Sequence, residues 1–294
     1  MRARIFAILS TTALLALAAV PVSASTDAHA YLALGDSVAF GYSPLIVADD
    51  GLALDPTKFV GYPDTVAASL DLPLVNASCP GETTAGLISR TPANDFVCLP
   101  YLAHFPLHTN YSGSQLEFAL HYLSTHPTVS LVTIDVGAND VFKLVAGCGG
   151  QNTACFANGI SGVLASIDAN LRFIFGEIRN IAHYNHALVV LTYYSLSYDP
   201  TTAAGTRLLN APIIDAAMAY GGIVASGFDA FKLPALNVGG SSCAAGLLIV
   251  LPTGGCDVHP SPVGRNLLAG AVVDAIAASC RAESAMGCME RNQG

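Results

Sequence analysis

The sequence predicts an α/β fold, a three-layer α/β/α sandwich around a central, mostly parallel sheet. Three observations predict it. Short apolar runs of strand length recur along the chain, segments with helical spacing separate them, and the runs are apolar on both sides. Alternating strands and helices build parallel sheets, and a sheet covered on both faces needs strands without a polar side.

In chain order, "AYLALG" from Ala30 is the first strand, and "KFVGYPDTVAASL" from Lys58 has the apolar spacing of a helix. "LPLVNAS" from Leu72 is the second strand, followed by the helical segment "SQLEFALHYLSTH" from Ser114. "VSLVTIDVG" from Val129 is the third strand, "ISGVLASIDANLRFIFGEIRNIAH" from Ile160 a long helix, and "ALVVLTYY" from Ala187 the fourth strand. A closing helix is expected over residues 262–279, "PVGRNLLAGAVVDAIAAS".

Two arginines, an apolar stretch from Ile5 to Val20 and the small residues Val22-Ser23-Ala24 have the pattern of a secretory signal. The expected organisation is a signal peptide over residues 1–24 and a single domain over residues 25–294, which can bury one substantial core. No later segment reads as long and apolar enough to span a bilayer. "AAGLLIVLP", from Ala244, has the length of a core strand. The expectation is a soluble, secreted monomer without a stable membrane anchor.

The full chain carries a formal charge of −9, and loss of residues 1–24 removes two arginines and no acid, leaving about −11. A surface this acidic lacks the cations that neutralise phosphates, which excludes nucleic acid as a partner. Small-molecule or lipid substrates without negative charge fit better.

All eight cysteines lie beyond the signal, and their spacing suggests four local disulfides. These are Cys79 with Cys98, Cys148 with Cys155, Cys243 with Cys256 and Cys280 with Cys288. None has the C-x-x-C spacing of a zinc knuckle, so no metal is expected.

In a parallel sheet the ligand site lies beyond the carboxyl ends of the strands. There the sequence places Gly35-Asp36-Ser37, then "NASCPG" ending at Gly81, then "DVGAND" containing Asn139. A fourth cluster, "GCDVHPSPVG" around His259, precedes the closing helix. A serine hydroxyl needs a base to become a nucleophile, and histidine suits that work. Of eight histidines, His259 alone sits in a proline-flanked turn that can hold it over the strand ends. Donors for an oxyanion could come from the N–H groups of Ser37 and Gly81 and the side-chain amide of Asn139. Asp36 and Asp140 adjoin these residues and are expected to fix turns by accepting backbone N–H groups.

These four blocks, in this order over residues 34–260, resemble those of the GDSL, or SGNH, hydrolase family, with Val38 in the fourth place of the first motif. "SCPGETTAG" is similar to the secreted, disulfide-bonded bacterial esterases and lipases of that family. The resemblance implies that Ser37 attacks an ester carbonyl and that His259 takes its proton. It further implies that Ser37, Gly81 and Asn139 form the oxyanion hole, and that no cofactor is needed. Acyl transfer from the same site, or an inactive binding protein on the same fold, are the alternatives.

One feature departs from the family pattern. The acid usually lies three residues before the histidine, where this chain has Cys256, and Asp257 lies only two before. Either Asp257 reaches His259 through an altered turn, or a main-chain carbonyl near Cys256 accepts from the imidazole. The second, a dyad, is the preferred expectation, with Asp257 the side-chain candidate. The apolar segment "LISRTPANDFVCLPYLAHFPL" is a candidate lining for an acyl pocket.

Overall fold

The computed structural model describes residues 29–282, so the expected signal peptide and Cys288 lie outside the described residues. Five parallel strands form the central sheet: β1 (Ala30–Gly35), β2 (Leu74–Asn76), β3 (Val129–Asp135), β4 (Ala187–Leu191) and β5 (Ile223–Ala225). Their order is β2-β1-β3-β4-β5. The chain steps from β1 outward to β2 and then returns to β3 on the other side of β1. The loops after β1 and β3 therefore part in opposite directions and leave a crevice between them, where doubly wound sheets hold ligands.

Helices cover both faces, as expected. Tyr62–Leu70, Gly227–Leu236 and Pro262–Ala282 pack together on one side, and Gln115–Thr125, Thr153–Asn180 and Pro200–Ala219 on the other. Tyr31, Leu32 and Leu34 of β1 are fully buried between the layers. Each large apolar side chain so buried contributes about 1.5–3 kcal/mol. Phe40, Phe59, Tyr101 and Leu107 form a second, smaller cluster around Cys79 and Cys98, below the loop that follows β1.

Several elements differ from the expectations. β5 is only three residues long and lies between glycines and a serine cap, too short for periodicity to mark it. The helices Pro200–Ala219 and Gly227–Leu236 contain Pro212 and Pro234 in their interiors. Proline there normally breaks a helix because it removes a hydrogen bond, and here packing on the sheet outweighs that loss. "LLIV" is not a strand of the core sheet. β6 (Leu248–Val250) pairs instead with an antiparallel β7 (Cys256–Pro260). His259 thus sits in a strand rather than in a turn.

The helix Pro262–Arg281 reaches a mean hydropathy of 1.3, long and apolar enough by that measure to cross a membrane. This corrects the expectation that no such segment exists. Leu268, Ala269 and Val272 are buried against the rest of the fold, and 22% of the apolar stretch is buried in all.

Three of the four expected disulfides are present among the described residues: Cys79–Cys98, Cys148–Cys155 and Cys243–Cys256. Cys79, Glu82 and Cys98 cluster closely enough to suggest metal ligands. The two sulfurs are bonded to each other, however, and offer no thiolate.

Candidate active site

Ser37 begins a single helical turn, Ser37–Phe40, directly after β1. Asp36 caps this turn through Oδ1, which accepts the Val38 N–H at 2.9 Å. The turn leaves the strand at Gly35, whose φ of +139° an L side chain rarely adopts and where a Cβ would sit 2.3 Å from the Asp135 carbonyl. Only glycine lets β1 and β3 approach so closely beneath the serine.

β7 brings His259 to this turn from 222 residues away, with Nε2 2.8 Å from Ser37 Oγ. Nδ1 meets the Asp257 carboxylate at Oδ1, which also accepts the His259 N–H at 3.0 Å. The imidazole therefore has a side-chain partner, not the main-chain carbonyl preferred from the sequence. Burial pushes the Asp257 carboxyl up, but the hydrogen bonds and charge of His259 outweigh it, and the net shift is downward. Three contacts hold β7 in place. Cys256 is bonded to Cys243, Tyr194 donates to the Val258 carbonyl at 2.7 Å, and the Tyr42 ring packs 4.8 Å from the imidazole.

Gly81 follows β2 with φ +78°, and a Cβ there would lie 2.2 Å from Val97 Cβ. The Cys79–Cys98 bridge draws the Val97 segment over the loop, so this position admits only glycine. Among the described residues, the N–H groups of Ser37 and Gly81 have no protein acceptor. Both residues line the cleft.

Asn139 also lines the cleft, but its amide donates to Asp36 Oδ2 at 3.1 Å and to the Glu82 carbonyl at 3.0 Å. Asp140 accepts the Thr84 N–H and hydroxyl at 2.9 and 2.6 Å and so fixes the neighbouring loop, as expected of it.

Two supporting residues escaped the sequence reading. Tyr193 donates its hydroxyl to Asp36 Oδ2 at 2.6 Å, and the rule that sites lie beyond strand ends could have found it just after β4. Gln115 starts a helix fixed by the capping box of Ser114 and Glu117. Its amide accepts from the Gly35 N–H and donates to the Gly35 carbonyl, both at 2.9 Å, and also donates to Glu82 at 2.8 Å. Nothing in its sequence neighbourhood signals that role. Glu82 is buried, and burial pushes its carboxyl up to about 7 against the opposing effects of Gln115 and Arg90.

The cleft above Ser37 encloses about 870 Å³. Phe96, Val97, Tyr101, Phe142, Ile160 and Leu208 are among its apolar lining.

The chain is a three-layer α/β protein with a serine and a histidine in contact at the carboxyl edge of its parallel sheet. The chain belongs to the GDSL-like lipase/acylhydrolase family, which matches it over residues 33–267. Among solved structures it is similar to an extracellular lipase from Streptomyces rimosus, at 21% identity and a TM-score of 0.54, covering 84% of this chain and 100% of that one. A phospholipase A1 from Streptomyces albidoflavus shares 20% identity at a TM-score of 0.54, covering 84% and 98%. An acetylxylan esterase from Geobacillus stearothermophilus shares 16% identity at 0.52, covering 84% and 93%. No curated protein sequence matches the chain.

Proposed function

We propose that this protein is a secreted serine esterase or lipase that hydrolyses carboxylic esters through an acyl-enzyme on Ser37. The observation that carries this reading is the Ser37–His259–Asp257 alignment, with Nε2 2.8 Å from Oγ and the carboxylate on the other ring nitrogen. His259 takes the Ser37 proton as Oγ attacks the ester carbonyl, and Asp257 stabilises the imidazolium that results. The tetrahedral oxyanion is met by the N–H groups of Ser37 and Gly81 and, once its amide turns, by Asn139. His259 then protonates the leaving alcohol, the acyl-enzyme forms, and water deprotonated by His259 releases the acid and restores the serine.

The similar structures include an acetylxylan esterase and a phospholipase A1, and the cleft of this chain carries the choice of acyl group. Its apolar lining favours an acyl chain longer than acetyl, which would be desolvated on entry. Disulfides and the expected signal peptide support export.

The test is hydrolysis of p-nitrophenyl acetate, butyrate and octanoate by wild type and Ser37→Ala. We expect kcat/KM to rise from acetate to the longer esters and the variant to lose nearly all activity. A wild type no faster than the variant, and unlabelled by an organophosphonate, would refute the assignment.

A further inference from the structure

Asp36 carries more than a cap. Its Oδ1 accepts the Val38 N–H, and its Oδ2 accepts both the Tyr193 hydroxyl and the Asn139 amide. With three donors this carboxylate is well satisfied as an anion. Directly beside it, in register with Gly35, stands a second buried carboxyl, Asp135, the last residue of β3. The Asp36 N–H donates to the Asp135 carbonyl at 3.0 Å, and the two side chains are within hydrogen-bonding reach of each other. Asp135 Oδ1 accepts the Tyr62 hydroxyl at 3.1 Å. The Ala39 N–H also acts on this carboxyl, but among the described residues its buried Oδ2 has no hydrogen-bond partner.

Each carboxyl is only 1% exposed. Two carboxylates in contact at such a site cannot both ionise, because each would lie unscreened in the field of the other. Of the two, the anion belongs on the group that already receives three donors, and the proton on the group with an oxygen left over. A proton on Oδ2 turns that orphan from an unmatched acceptor into a donor and removes the penalty of an unmade hydrogen bond.

We propose that Asp135 keeps its proton at neutral pH and donates it to Asp36, acting as a positioning residue beneath Ser37 and Asn139. The kinetic consequence rests on the esterase reading above, while the protonation state does not. When Asn139 turns an N–H toward an oxyanion, Asp36 loses one of its partners. The Asp135 proton remains and keeps the carboxylate, and with it the cap of the Ser37 helix, in place. It also limits the pair to a single negative charge under the site where the oxyanion develops. A second charge there would oppose the reaction.

The surroundings agree. Burial pushes both carboxyls up, Asp135 the further, and the charge of Asp36 adds to the rise of Asp135. Tyr31, Tyr62, Tyr193 and Tyr194 face the pair as neutral phenols, each held well above its ordinary value by burial. Asp64 acts on Tyr31, Asp257 on Tyr194, and His259 is the basic group that acts on Asp36.

The first test uses the wild-type chain carrying 13C-carboxyl aspartate. At pH 8 one aspartate carboxyl should resonate as a neutral acid, and that signal should vanish in Asp135→Asn. If every aspartate is ionised at pH 8, or if the neutral signal persists in Asp135→Asn, the proposal is overturned, whatever the enzyme hydrolyses. The second test is kinetic. Asparagine keeps a neutral donor, so Asp135→Asn should retain kcat within about threefold. Asp135→Leu should lower kcat about ten- to hundredfold at little changed KM, less than the loss of a direct oxyanion donor. Equal activity of the two folded variants overturns the positioning role. So does equal loss, since the amide would then have failed to replace the acid.

Discussion

Asp257 and His259 meet because they lie two residues apart on one strand. The pairing of β7 with β6 is irregular between Cys256 and Pro260, and there Asp257 Oδ1 accepts the His259 N–H two residues on, which sets the carboxylate beside the imidazole. Here the strand makes the shorter spacing work, and a single oxygen, Oδ1, serves both the ring and the His259 N–H.

Neutralising this carboxylate should therefore cost most of the turnover. We expect Asp257→Asn to lower kcat about ten-thousand-fold, as when a triad acid is replaced. Steady-state hydrolysis of p-nitrophenyl butyrate measures it. A fall of less than tenfold would return the orienting role to a main-chain carbonyl.

Asn139 is expected to act on the transition state. Asn139→Ala should lower kcat about 100- to 1,000-fold, the cost of one lost oxyanion donor, with KM within a few-fold of wild type. A change confined to KM would show instead that the amide holds substrate. Circular dichroism of the variant guards against a general loss of fold.

The Cys243–Cys256 bridge closes a 13-residue separation and ends one residue before Asp257. Its removal in Cys243→Ser/Cys256→Ser should reduce stability by about 2–4 kcal/mol. The same variant should lower kcat, because β7 carries both Asp257 and His259. Urea unfolding with the remaining bridges intact, paired with turnover, gives both quantities. Wild-type kcat in the variant would show that pairing with β6 alone suffices to place the histidine.

Glu82 gives the fold a pH dependence of definite sign. Its carboxyl is raised to about 7 from an ordinary 4.5, so between these values the folded state holds a proton that the unfolded chain has released. That contribution is complete below the unfolded value and is lost as pH rises toward and through the folded one. It amounts to about 3 kcal/mol if the whole shift is realised. Glu82→Gln removes the titration, so its stability relative to wild type should improve from pH 5 to pH 8 by up to about that amount. Urea midpoints at the two pH values test this, and a constant difference would show that Glu82 does not titrate in that range.

The strands β1 to β4, the helices Tyr62–Leu70, Gln115–Thr125 and Thr153–Asn180 and the four blocks at the strand ends were legible because each is written locally. Apolar periodicity is a property of neighbouring residues, and the blocks are short and contiguous. β5 and the proline-bearing helices were not legible, since packing on the sheet stabilises them against weak or contrary local signals. By itself the sequence determined which chemical groups stand at the edge of the sheet, and in what order. Only the tertiary structure decided how they are held. β7 pairs with β6 and so turns Asp257 toward the imidazole, while Gln115, Tyr193 and Asp135 arrive from three separate elements beneath Ser37. Such contacts depend on register and burial across the fold, and no run of adjacent residues encodes them.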